Sequence, residues 1–183
     1  MIPILYDKTE TAFLSNGLGR LTECTRCEVT EERNGVYELE FVYPVTGKLY
    51  SQLIQGGVVS VIHDDKKDRQ AFDIYKYSAP IDGNVTFYAR HISYRLSGIA
   101  VSPFTAGSCA LALDAIVSHS MQTNPFSFWT DKNVVADYTV AVPSSARALL
   151  GGVAGSILDV YGKGEYEFDM FDVKLYTNRG QAS

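Results

Sequence analysis

Hydrophobic and polar residues alternate with a period of two in several short stretches of the first half of the chain, a pattern typical of half-buried β-strands. In residues 36–43, aromatic and aliphatic side chains occupy the odd positions, and Glu38 and Glu40 oppose them. Asn34-Gly35 directly precedes this stretch and is a strong hairpin signal, because both residues tolerate a positive φ. Strands are also predicted over residues 2–6, 21–32, 58–63, 70–77 and 85–90. The short connections favour a small antiparallel barrel or sandwich.

The pattern changes after a small, apolar stretch over residues 98–107, which includes Pro103. Residues 108–121 then show helical spacing, with Leu111, Ala115 and residues 117–119 predicted near the inner side of the helix. Two short strands are predicted beyond it, over residues 126–130 and 137–142. The sequence therefore predicts two domains, a β-rich, barrel-like lobe over residues 1–95 and a smaller α+β lobe over residues 96–183. The predicted fold class is α+β, mainly antiparallel β.

A helix followed by a hairpin is predicted in the last 40 or so residues of the chain. Ser144 and Ser145 follow a proline and suit a helix N-cap, apolar residues recur at helical spacing up to Tyr161, and Gly162 suits the C-terminal stop. Three glycines fall inside this predicted helix, at positions 151, 152 and 155. Each costs about 1 kcal/mol relative to alanine, so a close approach by a neighbouring subunit or by the lobe's own sheet is expected to offset the cost.

The alternation after the helix changes phase at one point. Aromatic residues and Met170 occupy the even positions of residues 165–170, whereas the apolar set of residues 171–175 occupies the odd positions. A strand cannot change faces without an extra residue or a reversal. Residues 169–172 are therefore predicted to form either a bulge or a tight turn between two paired strands.

Composition and charge narrow the classes of function. The chain has 183 residues, of which 46% are hydrophobic, enough for a true core. A net charge of -5 and a sequence pI of about 5.2 argue against a basic surface that follows nucleic-acid phosphates. The first residues lack the pattern of a secretory signal, and no apolar run approaches the roughly 20 residues that span a bilayer. We expect folding in a cytoplasm, reduced thiols and no membrane insertion.

The three cysteines and one acidic loop are the candidates for metal chemistry. Cys24 and Cys27 have the spacing of half a zinc site or of a redox pair, but only Cys109 remains as a further thiol ligand. Inside a regular strand, positions 24 and 27 would point to opposite faces, so structural thiols are expected. His63-Asp64-Asp65 with Asp68 matches no cation-binding loop, and neighbouring lysines make it resemble a solvated hairpin tip.

Candidates for catalysis are similarly weak. His91 and His119 have no nearby G-x-S-x-G serine motif. Glu165, Glu167 and Asp169 could form a glycosidase-type carboxylate pair, but their alternation is explained by the wet face of an amphipathic strand. No catalytic, cofactor-binding or metal-binding residue is predicted, no cofactor is expected, and the chain is not expected to be an enzyme.

Four stretches carry a resemblance to a known family, and the similarity runs through the whole chain. They read IPILYD from Ile2, NGLG from Asn16, EERNGVYELEFVYP from Glu31 and GEYEFDMFDVKLYTNRG from Gly164. The chain resembles the N-terminal region of siphophage tail-tip hub proteins of Gram-positive hosts, the tail-associated lysin or prophage endopeptidase tail proteins. The family tends to have Asp-Asn at the last reversal, where this chain has Asp169-Met170. None of these motifs is catalytic.

The resemblance implies a baseplate-hub-like fold with a β-barrel lobe and an α+β lobe, assembled as a homotrimer. It implies a structural role at the phage tail tip, linking the distal tail protein at the end of the tail tube to receptor-binding or lytic modules. The tape-measure protein is a further implied partner, and DNA is expected to pass without specific binding. Assembly would take place in the cytoplasm of the bacterial host. Family members are usually longer, so the end at residues 181–183 suggests an N-terminal fragment.

Two other classes of function remain open from the sequence. One is a peptidoglycan hydrolase that uses the carboxylates of residues 165–169, and the other is a carbohydrate-binding β module that uses exposed tyrosines. Incubation with purified cell walls separates the hydrolase from the others, and wall pull-down separates binding from a scaffold role.

Overall fold

The computed structural model describes residues 1–63 and 68–179. The contacts within the chain divide it into two compact units, Met1–Ile92 and Ser93–Ser183. Each unit has its own buried core and its own sheets. The lobe boundary at residues 95/96 stays a prediction.

The first unit is built on one seven-stranded sheet in which every pair of neighbouring strands is antiparallel. Its strand order is β2-β1-β5-β6-β7-β4-β3. The strands are β1 (Ile4–Tyr6), β2 (Gly19–Arg20), β3 (Arg26–Glu31), β4 (Tyr37–Pro44), β5 (Val58–Val61), β6 (Gln70–Tyr77) and β7 (Asn84–His91). A short 3-10 turn, Tyr50–Gln52, lies between β4 and β5.

The predicted alternation of β4 is confirmed. Tyr37, Leu39, Phe41 and Tyr43 are all buried, whereas the residues between them are half-buried. The predicted hairpin with β3 is also present, and the φ of 52° at Asn34 shows the left-handed turn conformation that this residue type tolerates. The outcome is a buried face and a half-buried face along β4.

The sheet must curl, because its two end strands are consecutive in the chain. A flat sheet of this width would separate β2 from β3 by about 29 Å, at about 4.8 Å per strand. The six Cα–Cα steps from Arg20 to Arg26 can span at most about 21 Å when fully extended. This connector also contains a turn, in which the N–H of Cys24 donates to the carbonyl of Leu21 over 3.1 Å. The sheet is therefore an incomplete barrel in which β2 and β3 face a common opening, called the seam below.

The second unit contains seven short strands and three helices among its described residues. The strands are β8 (Ala100–Val101), β9 (Phe104–Ser108), β10 (Ser127–Thr130), β11 (Val135–Val140), β12 (Ser144–Ser145), β13 (Glu165–Asp169) and β14 (Asp172–Tyr176). The helices are α1 (Cys109–Ser118), α2 (Ala146–Leu150) and α3 (Ile157–Tyr161). A 3-10 turn spans Ile92–Gly98. The strands form three small sheets, ordered β10-β14-β13, β11-β9 and β12-β8.

The inner face of α1 differs from the prediction. The helix buries Cys109, Ala112, Leu113 and Ile116, whereas Leu111 is 57% exposed. Ser108 is the N-cap and accepts a hydrogen bond from the N–H of Leu111 over 3.3 Å. This short helix is apolar on most sides, so the spacing alone did not identify the face that packs on the neighbouring strands.

The single helix predicted after Pro143 is wrong, because the chain forms two short helices there. Ser145 does cap the first, α2, by accepting from the N–H of Ala148 over 3.3 Å. Gly152 and Gly155 in the gap have φ values of 87° and 77°, a left-handed conformation that ends helices. An added Cβ at Gly151 would lie 3.0 Å from Leu158, so its close neighbour is a side chain of the same unit.

The phase change at residues 169–172 is a tight turn, one of the two predicted alternatives. β13 and β14 pair in register from Glu165↔Tyr176 to Asp169↔Asp172, leaving a two-residue loop. Met170 has a φ of 53°, and Phe171 does not have a positive φ. This is the φ pattern of a type II′ hairpin turn. It reverses the chain direction, so the even-numbered Tyr166 and Phe168 pair with the odd-numbered Leu175 and Val173 on one buried face.

Both units together confirm the predicted fold class of α+β, mainly antiparallel β. One pairing departs from the antiparallel rule, since β10 lies parallel to β14.

Candidate functional site

The seam of the first unit is its most distinctive surface, because a sheet edge carries backbone donors and acceptors that can pair with another chain. β3 is the last strand on one side. The N–H of Glu32 donates to the carbonyl of Val36 over 2.7 Å, which fixes the hydrogen-bonding phase of the β3–β4 ladder. Since hydrogen-bonded and non-hydrogen-bonded pairs alternate in an antiparallel ladder, the N–H groups of Cys27 and Val29 point away from β4.

The outer face of β3 is charged. Arg26 forms ion pairs with Glu28 over 2.6 Å and with Glu40 over 3.1 Å. The hydrogen bond to Glu28 raises the pKa of Arg26 and lowers that of Glu28. These groups are at the surface, where such pairs add little stability. Charged residues of this kind limit indiscriminate pairing at an edge, which favours a specific partner over aggregation.

Buried side chains of the first unit anchor the connector between β2 and β3. Leu21 is fully buried, and the hydroxyl of Tyr43 donates to Glu23 over 2.9 Å. The same hydroxyl accepts from the N–H of Leu49 over 3.4 Å. The hydrogen bond from Tyr43 lowers the pKa of the Glu23 carboxyl, and burial raises the pKa of Tyr43. The seam therefore has fixed geometry on its β3 side.

Two of the candidate histidines, His63 from the acidic loop and His91 from the catalytic candidates, lie in the core of the first unit. His63 and His91 are both buried, the first 2.6 Å from the hydroxyl of Tyr37 through Nε2 and the second stacked on the Tyr37 ring at 4.2 Å. His91 Nε2 also lies 3.2 Å from Gln70 Oε1. His63 thus belongs to an aromatic cluster, while Asp64 and Asp65 of the acidic loop lie outside the described residues.

In the second unit, the serines and the third histidine have structural contacts. The Ser102 hydroxyl donates to the backbone carbonyl of His119 over 3.2 Å and lies 3.4 Å from the Nδ1 of its ring. Ser144 pairs with Val101 in a short antiparallel bridge, and Ser145 is the helix cap described above. Each of these serines therefore has a structural contact.

The three acidic residues of β13 are half-buried on the face opposite Tyr166 and Phe168. Glu167 accepts a hydrogen bond from the Tyr176 hydroxyl over 3.1 Å and lies 3.4 Å from Arg179. Burial, followed by the charge of Glu167, raises the pKa of Tyr176. The arrangement is that of a carboxylate held by strand neighbours.

The prediction that Cys24 and Cys27 point to opposite faces is wrong. Cys24 precedes β3, and the chain bends there so that its thiol donates to the carbonyl of Arg26 over 3.0 Å. The N–H of Thr25 donates to the carbonyl of Val42, which is also the ladder partner of Arg26, and this extra residue places Cys27 on the same face as Cys24. Cys109 is buried in the second unit. Within residues 1–63 and 68–179, no group of three or more His, Cys, Asp or Glu residues could hold a metal ion.

One unusual side chain was not identified from the sequence. Arg147 in α2 lies over the rings of Tyr94 and Phe168, at 5.0 and 4.7 Å from their centroids. Its Nη1 is buried and has no hydrogen-bond partner among the residues that the structure describes. Burial lowers the pKa of this guanidinium. No sequence pattern distinguishes it from the charged residues that face water.

No helix in the described part of the chain is long and apolar enough to cross a membrane.

The chain matches no protein-family model, and no curated protein is significantly similar to it in sequence. Among solved structures, it is similar to prophage tail protein gp18 from Listeria monocytogenes EGD-e, with a TM-score of 0.65 and 19% identity over 96% of this chain and 50% of that one. It also matches the E. coli c3393 protein, a component of the type VI secretion system described as structurally similar to T4 bacteriophage tail proteins gp27 and gp5. That match has a TM-score of 0.49 and 8% identity, over 86% of this chain and 48% of the other. The chain thus spans about half the length of each. The similarity to gp18 establishes a shared fold.

Proposed function

We propose that this chain is a structural component of a phage or prophage tail, the N-terminal scaffold of a tail-tip hub. In this role it joins the end of the tail tube, through the distal tail protein, to distal receptor-binding or lytic modules. The observation that carries the proposal is the fold shared with a prophage tail protein over 96% of the chain. The family resemblance of the four sequence stretches supports the same position in the tail.

The proposed assembly is a homotrimer around a central channel. A ring of this kind needs heterologous contacts, in which one surface meets a different surface of the next subunit. The seam offers two such surfaces, since β2 and β3 are the end strands of a curled sheet. The outward N–H groups of Cys27 and Val29 support pairing of β3 with a strand of the neighbour.

The channel of this ring would pass DNA without binding it. A lumen rich in lysine or arginine would hold phosphates and slow their passage. The net charge of -5 supports a neutral or acidic wall.

In this proposal the described residues carry no catalytic centre, so purified cell walls incubated with the chain should keep their turbidity. Solubilised peptidoglycan fragments in that assay would favour the hydrolase alternative.

Assembly in solution tests the hub role. Light scattering after size-exclusion chromatography measures the mass of the 183-residue chain, of a longer protein that carries distal modules, and of each one mixed with the distal tail protein of the same genome. We expect a weak or absent trimer for the chain alone and a stable trimer for the longer protein. A longer protein that stays monomeric at high concentration, even with the distal tail protein present, would refute the hub proposal.

A further inference from the structure

An irregularity at the start of β3 places Cys24 and Cys27 on the same face of the strand. The N–H of Thr25 donates to the carbonyl of Val42 over 3.0 Å, and Val42 is also the ladder partner of Arg26. Two residues of this strand therefore face one residue of β4, as at a β-bulge. One extra residue changes the phase of the alternation, so positions 24 and 27 share a face as residues two apart would in a regular strand.

The two thiols of this pair have different acidities. The neighbouring thiol of Cys27 lowers the pKa of the Cys24 thiol below its ordinary value. The neighbouring sulfur of Cys24, followed by burial, raises the pKa of Cys27. A thiolate at Cys24 with a protonated neighbour is the arrangement in which one sulfur attacks and the other resolves.

Solvent exposure distinguishes this pair from the third cysteine, Cys109. Cys24 and Cys27 are each partly exposed, whereas Cys109 is buried, and burial raises the pKa of its thiol. A small oxidant in solution reaches the pair and not Cys109.

We propose that Cys24 and Cys27 are a redox-active thiol pair that closes reversibly into a disulfide at the seam of the curled sheet. The oxidant is a small-molecule disulfide such as oxidised glutathione. The Cys24 thiolate attacks one of its sulfurs, which breaks the glutathione S–S bond, forms a mixed disulfide and releases one glutathione thiolate. Cys27 then loses its proton and attacks the Cys24 sulfur, which forms the protein disulfide and releases the second glutathione thiolate. Two protein thiols are oxidised and one disulfide is reduced to two thiols.

The location gives this step a structural consequence. The pair joins the connector of residues 21–25 to the edge strand β3, beside the outward backbone groups of the seam. A disulfide there stiffens the turn that closes the curl of the sheet. Since cytosolic glutathione keeps thiols reduced and an extracellular medium does not, the seam would be adjustable in the first environment and fixed in the second.

Thiol mapping on the full chain tests the proposal. The protein is equilibrated with reduced and oxidised glutathione at a series of ratios, quenched with acid, alkylated and digested, and its peptides are weighed by mass spectrometry. We expect Cys24 and Cys27 to lose their alkyl labels together as the buffer becomes oxidising, without a glutathione adduct. In the reduced protein at neutral pH, Cys24 should alkylate at least about tenfold faster than Cys27. Cys109 should be labelled only after unfolding.

Cys109→Ser is the matched control and should give the same titration as the unchanged protein. Cys27→Ser removes the resolving thiol, so it should accumulate a stable glutathione adduct on Cys24. Three results would overturn the proposal: thiols that stay reduced at the glutathione poise of secretory compartments, a glutathione adduct that persists on Cys24 of the unchanged protein, or a disulfide between two chains. The measurements on the unchanged protein decide the question even if a variant fails to fold.

Discussion

At the scale of single residues, the surroundings of Arg147 fit its charge poorly. Its guanidinium is packed between two aromatic rings, which attract cations, but its Nη1 lacks a hydrogen-bond partner among the described residues. The cost of removing a charge from water is therefore offset only in part. The lowered pKa of the guanidinium, caused by burial, has the same origin.

Two substitutions separate the charge of Arg147 from its packing. Arg147→Met keeps a long apolar stem between the rings and removes the buried charge, so we expect stability equal to the unchanged protein or higher by up to about 2 kcal/mol. Arg147→Lys keeps a charge but loses the planar stacking, and should cost about 1–2 kcal/mol. Urea unfolding measures both. A Met variant less stable than the Lys variant would show that the charge itself contributes stability.

The pKa of Glu23, in the β2–β3 connector, predicts how the stability of the first unit depends on pH. The hydrogen bond from Tyr43 lowers the pKa of Glu23 in the folded state, below its ordinary value of 4.5. A carboxyl whose folded pKa is depressed contributes stability above its unfolded pKa and loses it as the pH falls through the folded pKa. We therefore expect Tm to fall below about pH 4.5, and to fall less steeply in Tyr43→Phe. Glu40→Gln, which leaves this hydrogen bond in place, is the control.

At the scale of elements, the break between α2 and α3 reverses the sign of the stability change that is expected for two glycine substitutions. In one continuous helix, Gly152→Ala and Gly155→Ala would each stabilise the protein by about 1 kcal/mol. Both glycines instead have positive φ, and an added Cβ would meet nothing within 4 Å. Each substitution should therefore cost about 1 kcal/mol for conformational reasons alone. Gly107→Ala in β9 has open space and no positive φ, so chemical denaturation should show little change or a slight gain.

The same break shows what the sequence could predict. Period-two alternation is a signal between residues that are close in sequence. The bounds of β4, β7 and the β13–β14 hairpin were therefore predicted to within one or two residues. The break between α2 and α3 was missed because the helical spacing of apolar residues continues across three glycines. The φ values of these glycines cannot be read from a sequence pattern. The parallel pairing of β10 with β14 joins segments more than 40 residues apart and has no local signal.

The site was predicted less well than the fold, because its geometry depends on contacts between residues that are far apart in the chain. Cys24 and Cys27 were assigned opposite faces because a regular strand was assumed, and the irregularity opposite Val42 depends on a hydrogen bond to another strand. Ser145 was predicted correctly as a cap because capping is a local interaction. The prediction that no residue of this chain is catalytic remains to be tested by the cell-wall assay.

At the scale of the whole molecule, the first unit should fold alone. All seven strands of its sheet lie within Met1–Ile92, and its largest buried side chains, including Phe41, Phe72 and Phe87, come from those strands. We expect residues 1–92 by themselves to give a β-type circular dichroism spectrum and a cooperative thermal transition. In that fragment, Phe41→Ala should cost about 3–5 kcal/mol, because it removes a buried ring stacked on Phe87 at 5.0 Å. A fragment that lacks a cooperative transition would contradict the prediction.

The last prediction tests whether the β3 edge forms the subunit contact of the proposed hub. Val29→Pro removes an outward N–H and leaves the β3–β4 ladder in place, so it should change stability by no more than about 1 kcal/mol. In a longer protein that forms the proposed trimer, it should abolish trimerisation, because edge pairing needs that donor. Thr30→Pro is the matched control, since Thr30 lies in a hydrogen-bonded pair with Glu38 and its substitution should destabilise the first unit itself. Light scattering and thermal unfolding on the same samples separate the two effects. If Val29→Pro trimerises normally, the subunit contact lies elsewhere on the molecule, while binding of the distal tail protein still decides the hub role.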